Sequence, residues 1–283
     1  MKKAQKEVNH NEASLMLLLK ELRLSGFARH HEEVSLKAER EGWSFGRYLY
    51  HLVEMEVEQR RQRRIERNLT RSQLAFEKTR STLEMNRLCN KAKASLRRLC
   101  DGQWVGKAEN VLVFGLPGRG KTHYVSSVGH ELVLKGFTVL FIATFKLVQQ
   151  LLAAKRDLVL EQLLGRLDRF DVVILDDLGY VQQDRDEMEV LFTFLAERYE
   201  RKSVMLTSNL VFSQWDRIFK DAMTTAAAID RLVHHATIVE LTGKSYRNDT
   251  AAKRALMAPP FERQDDVEPP PTPSGEVVEG GDS

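Results

Sequence analysis

Cysteine is nearly absent from this chain: Cys89 and Cys100 are the two thiols in 283 residues. Their spacing matches no metal motif, and two thiols exclude a disulfide framework. Both read as apolar fillers in a reduced, cytoplasmic compartment. Long apolar runs are missing as well. No stretch approaches about 18 uninterrupted apolar residues and the start carries no apolar signal core, so the sequence predicts neither a membrane span nor a signal peptide. Proline is scarce until the end, with six of the seven lying from Pro259 onward. Acids are the scarce class between residues 60 and 98, where thirteen lysines and arginines face only Glu66, Glu77 and Glu84. A net charge of +3 conceals this local excess, which is a signature of polyanion binding rather than of fold.

What is present begins with the run Gly115-Leu116-Pro117-Gly118-Arg119-Gly120-Lys121-Thr122, which fits G-x-x-x-x-G-K-[ST] directly after the apolar segment 110–114. Glycines there let successive backbone N–H groups curl around phosphates. Lys121 places a cation on the β/γ oxygens, and the Thr122 hydroxyl is a Mg²⁺ ligand. A helix starting near Lys121 adds its positive end to the same anion site. Nucleoside triphosphate binding is therefore expected, with Gly115, Pro117, Gly118, Arg119, Gly120, Lys121, Thr122 and His123 as the cofactor-binding set. His123 is read within that set as a packing or hydrogen-bonding residue of the helix.

Around this motif the chain divides by its periodicity. Residues 13 to about 98 carry helical spacing, as in Leu15, Leu18, Leu19 and Leu22, with Gly26 and Gly42 as punctuation and Ser44 as the N-cap of a helix beginning at Phe45. Residues 99–109, with Gly102 and Gly106, read as a joint. From residue 110 short apolar runs alternate with helical segments, predicting strands at 111–114, 138–142, 172–175, 204–207 and 237–241. The expected fold is α/β: a five-stranded parallel sheet covered on both faces, preceded by a small all-helical domain. The domains are read as 1–98, helical and DNA-binding; 99–258, the P-loop core; and 259–283, a disordered acidic, proline-rich tail.

Four further positions carry chemistry. The apolar run 172–175 ends in Asp176 and Asp177; coupled to the phosphate loop, the first acid is assigned to Mg²⁺ and the second to the catalytic position. Paired acids after a strand also serve as a plain turn or helix cap. Asn209, past the next strand, is either a sensor of the γ-phosphate or a turn residue. Arg231 is either an arginine finger acting on a neighbouring subunit's nucleotide or the partner of Asp230 or another surface acid. In the basic stretch, Arg60, Arg61, Arg63, Arg64, Arg67 and Arg71 are taken as DNA contacts, against a solvated helix face with pairs such as Glu66 with Arg63. The pairs His30/His31 and His234/His235 are not read as metal ligands, since neighbours on a helix point about 100° apart.

Together, Gly-Leu-Pro-Gly-Arg-Gly-Lys-Thr-His (115–123), Asp-Asp-Leu-Gly-Tyr (176–180), Thr-Ser-Asn-Leu (207–210), Ile-Asp-Arg-Leu-Val-His-His-Ala (229–236) and Gly-Lys-Ser-Tyr-Arg (243–247) resemble the IstB-like ATP-binding proteins of bacterial insertion sequences. These are relatives of DnaC-like helicase loaders within the AAA+ ATPases. The resemblance implies a helical DNA-binding part and an AAA+ core without the helical lid. It also implies ATP-dependent assembly of oligomers on double-stranded DNA, deformation of that DNA, and cooperation with the element's transposase in target selection and integration. Carried over by motif, Lys121 and Thr122 hold ATP and Mg²⁺, Asp176 is the magnesium acid, and Asp177 stands where many AAA+ proteins have Glu. Asn209 matches sensor 1 and Arg231 the finger. Arg119 departs from the small or polar residue more usual at its position. A helicase loader in DNA replication is the alternative, and a small-molecule P-loop kinase is disfavoured because neither a lid with phosphate-clamping arginines nor an acceptor pocket is visible.

Overall fold

The computed structural model describes residues 13–178, 185–210, 214–215 and 222–242. The tail from residue 259 and the 243–247 motif lie outside the described residues, as do Gly179 and Tyr180. The helical part comprises α1 over residues 13–21, α2 (Ser25–Glu41), α3 (Phe45–Ser72) and α4 (Asn90–Asp101). Ser44 caps α3 as expected, its hydroxyl accepting the Arg47 N–H at 3.3 Å. The helices α2 and α3 cross where Gly26 donates its N–H to the buried Glu56 carboxylate. A Cβ on Gly26 would lie 2.7 Å from that oxygen and 3.1 Å from the Glu56 Cα, so a larger residue there would push the two helices apart or displace the carboxylate.

Two different partners share α3. Leu52 and Glu56 are buried on the side toward α2, whereas Ile65, Asn68 and Ser72 are buried toward the core. At about 100° per residue these two sets lie on nearly opposite sides of the helix. A single apolar stripe is therefore absent, and α3 acts as a spine held at both ends. The helical pattern expected up to residue 98 is interrupted between Gln73 and Cys89, where the regular structure is a short 3₁₀ turn at Met85–Arg87. Side-chain competition explains the break: Thr82 donates to the Glu77 carbonyl at 2.6 Å and accepts from the Thr79 N–H at 3.1 Å, bonds that replace helical ones.

The core follows as β1 (Asn110–Phe114), α5 (Lys121–Leu134), β2 (Val139–Ala143), α6 (Thr144–Arg156), α7 (Leu160–Leu167), β3 (Val172–Asp176), α8 (Arg185–Arg198), β4 (Ser203–Ser208), α9 (Ala222–Val233) and β5 (Ala236–Glu240). Every expected strand is present within one residue of its sequence bounds. The sheet is entirely parallel in the order β2-β3-β4-β1-β5. Alternation sorts each strand between two cores. Val111, Val113, Ile174 and Met205 pack with α4 and α5, while Leu112, Phe114, Leu175 and Leu206 pack with α6 and α8. Leu99, Cys100, Trp104 and Val105 are buried in the first of these clusters. Both cysteines are free, and burial pushes the Cys100 thiol up to about 11, consistent with an inert filler. Among the described residues, no helix is long and apolar enough to cross a membrane.

Arg198 closes the amino edge of the sheet. The residue is 2% exposed, and its guanidinium donates to the carbonyls of Leu167, Phe170, Asp171 and Ser203 at 2.9–3.3 Å. Burial lowers its pKa to about 10, still well above neutrality. Replacing Arg198 by Leu strands these carbonyls, and denaturant unfolding should report a loss of about 3 kcal/mol or more; a change below ~1 kcal/mol would show that water satisfies them instead.

Beside it, burial raises the Asp171 carboxyl, but Lys202 at 2.8 Å and the Thr138 backbone and hydroxyl donors outweigh that and hold it below its ordinary 3.8. A depressed carboxylate contributes stability that is full above the unfolded pKa and lost as pH falls through the folded one. Asp171→Asn should therefore flatten the stability-versus-pH slope below about pH 4, measured by urea titration. An unchanged slope would remove Asp171 from the acid response.

Candidate functional site

The site forms where β1, β3 and β4 end. Leaving Phe114, the chain turns through Gly118 and Gly120, both left-handed with φ of 78° and 82°, conformations in which a side chain would be strained. The Gly115 N–H donates to the Ser208 carbonyl at 3.3 Å, fastening the loop to the tip of β4. No side chain caps α5, and its first turn holds no acid, so its leading N–H groups face the loop as an anion-binding surface. Lys121 lies back across the loop, donating to the Gly115 carbonyl at 2.7 Å and the Leu116 carbonyl at 3.3 Å.

The second half of the site is a hydroxyl–carboxylate junction. Thr122, on the helix that follows β1, donates to Asp176 at the end of β3, at 3.2 Å to Oδ1 and 3.0 Å to Oδ2, with β4 lying between the two strands. Thr207, fully buried near the end of β4, donates to Asp176 Oδ1 at 2.7 Å and accepts the Asp177 N–H at 2.8 Å. Asp177 takes a left-handed φ of 65°, rare for a non-glycine residue, and that N–H bond holds it there. Thr144 adds a bond to the Asp176 carbonyl at 3.0 Å. The half-buried Asn209 follows β4 directly; its Oδ1 is shielded from solvent with no hydrogen-bond partner among the described residues. A buried acceptor without a donor beside a cationic loop and two acids marks a place shaped for a polar ligand. Thr122 and Asp176 together offer the hard oxygen donors that Mg²⁺ takes alongside a phosphate chain, so these residues fit an ATP–Mg²⁺ pair.

Other predicted residues lie elsewhere. His123 turns away from the loop: its Nε2 donates to the Thr79 carbonyl at 3.0 Å and is 3.1 Å from the Thr82 hydroxyl, tying the 73–89 segment to α5. Arg231 stands in the last turn of α9, and its own carbonyl accepts a bond from Asn110 at the first residue of β1. That is the opposite end of the strand from Gly115, roughly 16 Å away at about 3.3 Å per residue. Its guanidinium lies 4.5 Å over the Phe192 ring, and one of its terminal nitrogens, Nη1, is buried without a hydrogen-bond partner among the described residues. Among the described residues no ion pair with an acid reaches Arg231. The arginines 60, 61, 63, 64, 67 and 71 are all exposed on α3. Arg60 and Arg63 tie back to Glu56 and Ser25 at 2.6 Å each, and Arg64 donates to the Gly136 carbonyl at 3.2 Å.

Sequence reasoning passed over Thr207 as an ordinary strand residue. The signal available was a polar side chain closing an otherwise apolar run immediately before Ser208-Asn209.

The family described as IstB-like ATP binding protein matches residues 17–254. An insertion sequence ATP-binding protein of Sinorhizobium fredii is 42% identical over 86% of this chain and 83% of its own length. The insertion sequence IS21 ATP-binding protein of Pseudomonas aeruginosa is 33% identical over 86% of this chain and 92% of its own. Among solved structures, domain III of the Thermotoga maritima replication initiation protein DnaA superposes with a TM-score of 0.51 at 14% identity, over 66% of this chain and 75% of that one. This likeness concerns the fold alone.

Thr207→Val should remove the bond to Asp176 and strand the Asp177 N–H, weakening Mg²⁺-dependent nucleotide binding about tenfold or more. Thr207→Ser, which keeps the hydroxyl, should stay within about threefold by isothermal titration. Equal losses in both variants would show that the Thr207 hydroxyl is not what the site depends on.

Proposed function

The chain belongs to the IstB-like ATP-binding proteins, and from that premise we propose that it is an ATP-dependent, DNA-binding ATPase. It oligomerises on double-stranded DNA and assists a transposase of the same element in target selection and integration during insertion-sequence transposition. Residues 1–98 provide the DNA-binding part and residues 99–258 the ATPase. The insertion-sequence relatives favour transposition over helicase loading. The free thiols Cys89 and Cys100 suit a cytoplasmic setting.

One observation carries the catalytic half of the reading: the Thr122–Asp176–Thr207 junction beside a cationic loop at the carboxyl ends of parallel strands. Bound ATP and Mg²⁺ supply the phosphoryl bond to be cleaved and the charge neutralisation it needs. Lys121 exchanges its loop carbonyls for phosphate oxygens, and the α5 N-terminus receives the remaining negative charge. Thr122 and Asp176 hold the cation. Asp177 is the base that polarises water, and Asn209 orients it from the tip of β4. Because the Arg231 backbone is anchored at the far end of β1, Arg231 acts on a neighbouring subunit's site, and hydrolysis is coupled to assembly. The exposed arginines of α3 neutralise DNA phosphates, giving salt-dependent binding with little sequence preference.

Steady-state ATP hydrolysis should rise on addition of double-stranded DNA, with the stimulation shrinking as salt increases. Lys121→Ala should abolish nucleotide binding, whereas Asp177→Asn should bind normally and turn over slowly. A response flat to DNA at low and high salt would detach α3 from the mechanism, and equal binding losses would undo the separation of Lys121 from Asp177.

Arg231→Ala subunits should lose turnover as a pure population yet regain part of it when mixed with wild type. Strictly additive activity across mixing ratios would place Arg231 outside any neighbouring site.

A further inference from the structure

At the amino edge of the sheet, away from the phosphate loop, two turns meet. One follows α8 and carries Tyr199 and Glu200; the other follows α9 and carries His234 and His235. The helical divergence of about 100° invoked against adjacent histidines holds for His30 and His31 within α2, but His234 and His235 lie beyond the end of α9. Their rings stand 4.1 Å apart between centroids. Both backbones are fixed: the His234 N–H donates to the Asp230 carbonyl at 2.9 Å, and the His235 carbonyl accepts the Asn110 N–H at 2.8 Å. Glu200 faces the pair, its Oε1 lying 4.0 Å from His234 Nδ1 and 4.0 Å from His235 Nε2. The three donor atoms all lie within 4.8 Å of one another.

Two imidazole rings and a carboxylate present nitrogen and oxygen lone pairs and a negative charge to a common point. We propose that Glu200, His234 and His235 form a binding site for a divalent transition cation of the zinc class, with solvent as the fourth ligand. Nitrogen and carboxylate donors at about 2.0–2.2 Å suit that ion, and a tetrahedral set places ligand atoms about 3.3 Å apart. The side chains are 52–57% exposed, so small rotations close the remaining gap without disturbing the core. The Tyr199 hydroxyl, 2.9 Å from His234 Nδ1, orients that ring and yields its hydrogen bond when the cation binds.

The site joins the end of α8 to the end of α9. Arg231 belongs to that same last turn of α9 and rests on Phe192 of α8, so the cation pins the platform on which Arg231 sits. This consequence for turnover rests on the finger reading of Arg231; the site itself does not.

The test uses the full chain, stripped of metal by chelator and titrated with zinc chloride by calorimetry, without nucleotide or magnesium. A single equivalent should bind, and His235→Ala and Glu200→Gln should each weaken it at least about tenfold with circular dichroism unchanged. His30→Ala on α2 should leave the isotherm as it is. Saturating zinc should also raise the unfolding midpoint of the wild type by roughly 3 °C and leave His235→Ala unmoved. Superimposable isotherms for wild type and both cluster variants, or no zinc uptake by wild type, would overturn the assignment. Since no nucleotide is present, an inactive ATPase would strike the functional reading and leave this result intact. Zinc that binds here yet leaves wild-type turnover unchanged would sever the link to Arg231.

Discussion

One carboxylate, that of Asp176, is the point through which the phosphate-loop helix, the end of β3 and the end of β4 are joined. Its oxygens accept the hydroxyls of Thr122 and Thr207, and Thr207 in turn accepts the N–H that keeps Asp177 left-handed. Hydrogen bonds to an ionised acceptor are among the stronger ones, about 1.5–3 kcal/mol each. Their value here is mostly positional. Because β4 lies between β1 and β3, the two motifs that are 54 residues apart in sequence meet only if three parallel strands end in register. The alternating apolar residues beneath, buried toward α4 and α5 on one face and α6 and α8 on the other, hold that register.

The sheet has two chemically different ends, set by the direction of its strands. Carboxyl ends carry the loop, the acids and Asn209. Amino ends carry Arg198 over four backbone carbonyls, Asn110 bonded to the last turn of α9, and the corner of Glu200, His234 and His235. Arg231 belongs to this second end. Its stacking on Phe192 gives a cation with one unpartnered nitrogen a fixed seat away from its own phosphate loop. The spine α3 connects the helical arm to this frame: Arg64 reaches the Gly136 carbonyl and Asn68 the Phe137 carbonyl. Those residues lie just past α5, whose other end is Lys121, so one helix runs from the loop to the turn that α3 grips.

Much of this was legible from residue order. Five strands, the Ser44 cap and the loop-to-helix turn follow from local patterns: apolar runs of four or five residues, a serine before a helical period, glycines where φ is positive. The break between Gln73 and Cys89 was not, because its cause is the competition of Thr79 and Thr82 for backbone groups, which a basic helical pattern does not reveal. Thr207 was hidden for a similar reason. A threonine in a strand reads as a β-former until the strand beside it supplies a carboxylate.

The sequence by itself determined the identities that chemistry needs: a lysine and a threonine behind a glycine loop, two acids after an apolar strand, an excess of arginine on a helix, a lone arginine before the last strand. Their separation is measured along the chain, and local rules read it well. Tertiary structure decided which of them meet. It gathered Thr122, Asp176 and Thr207 at one end, sent Arg231 to the other, turned His123 toward Thr79, and brought His234 and His235 to Glu200 from a turn the helical period does not describe. Strand order and helix packing are set by long-range burial, and burial of one face is a property of the whole sheet rather than of any segment within it.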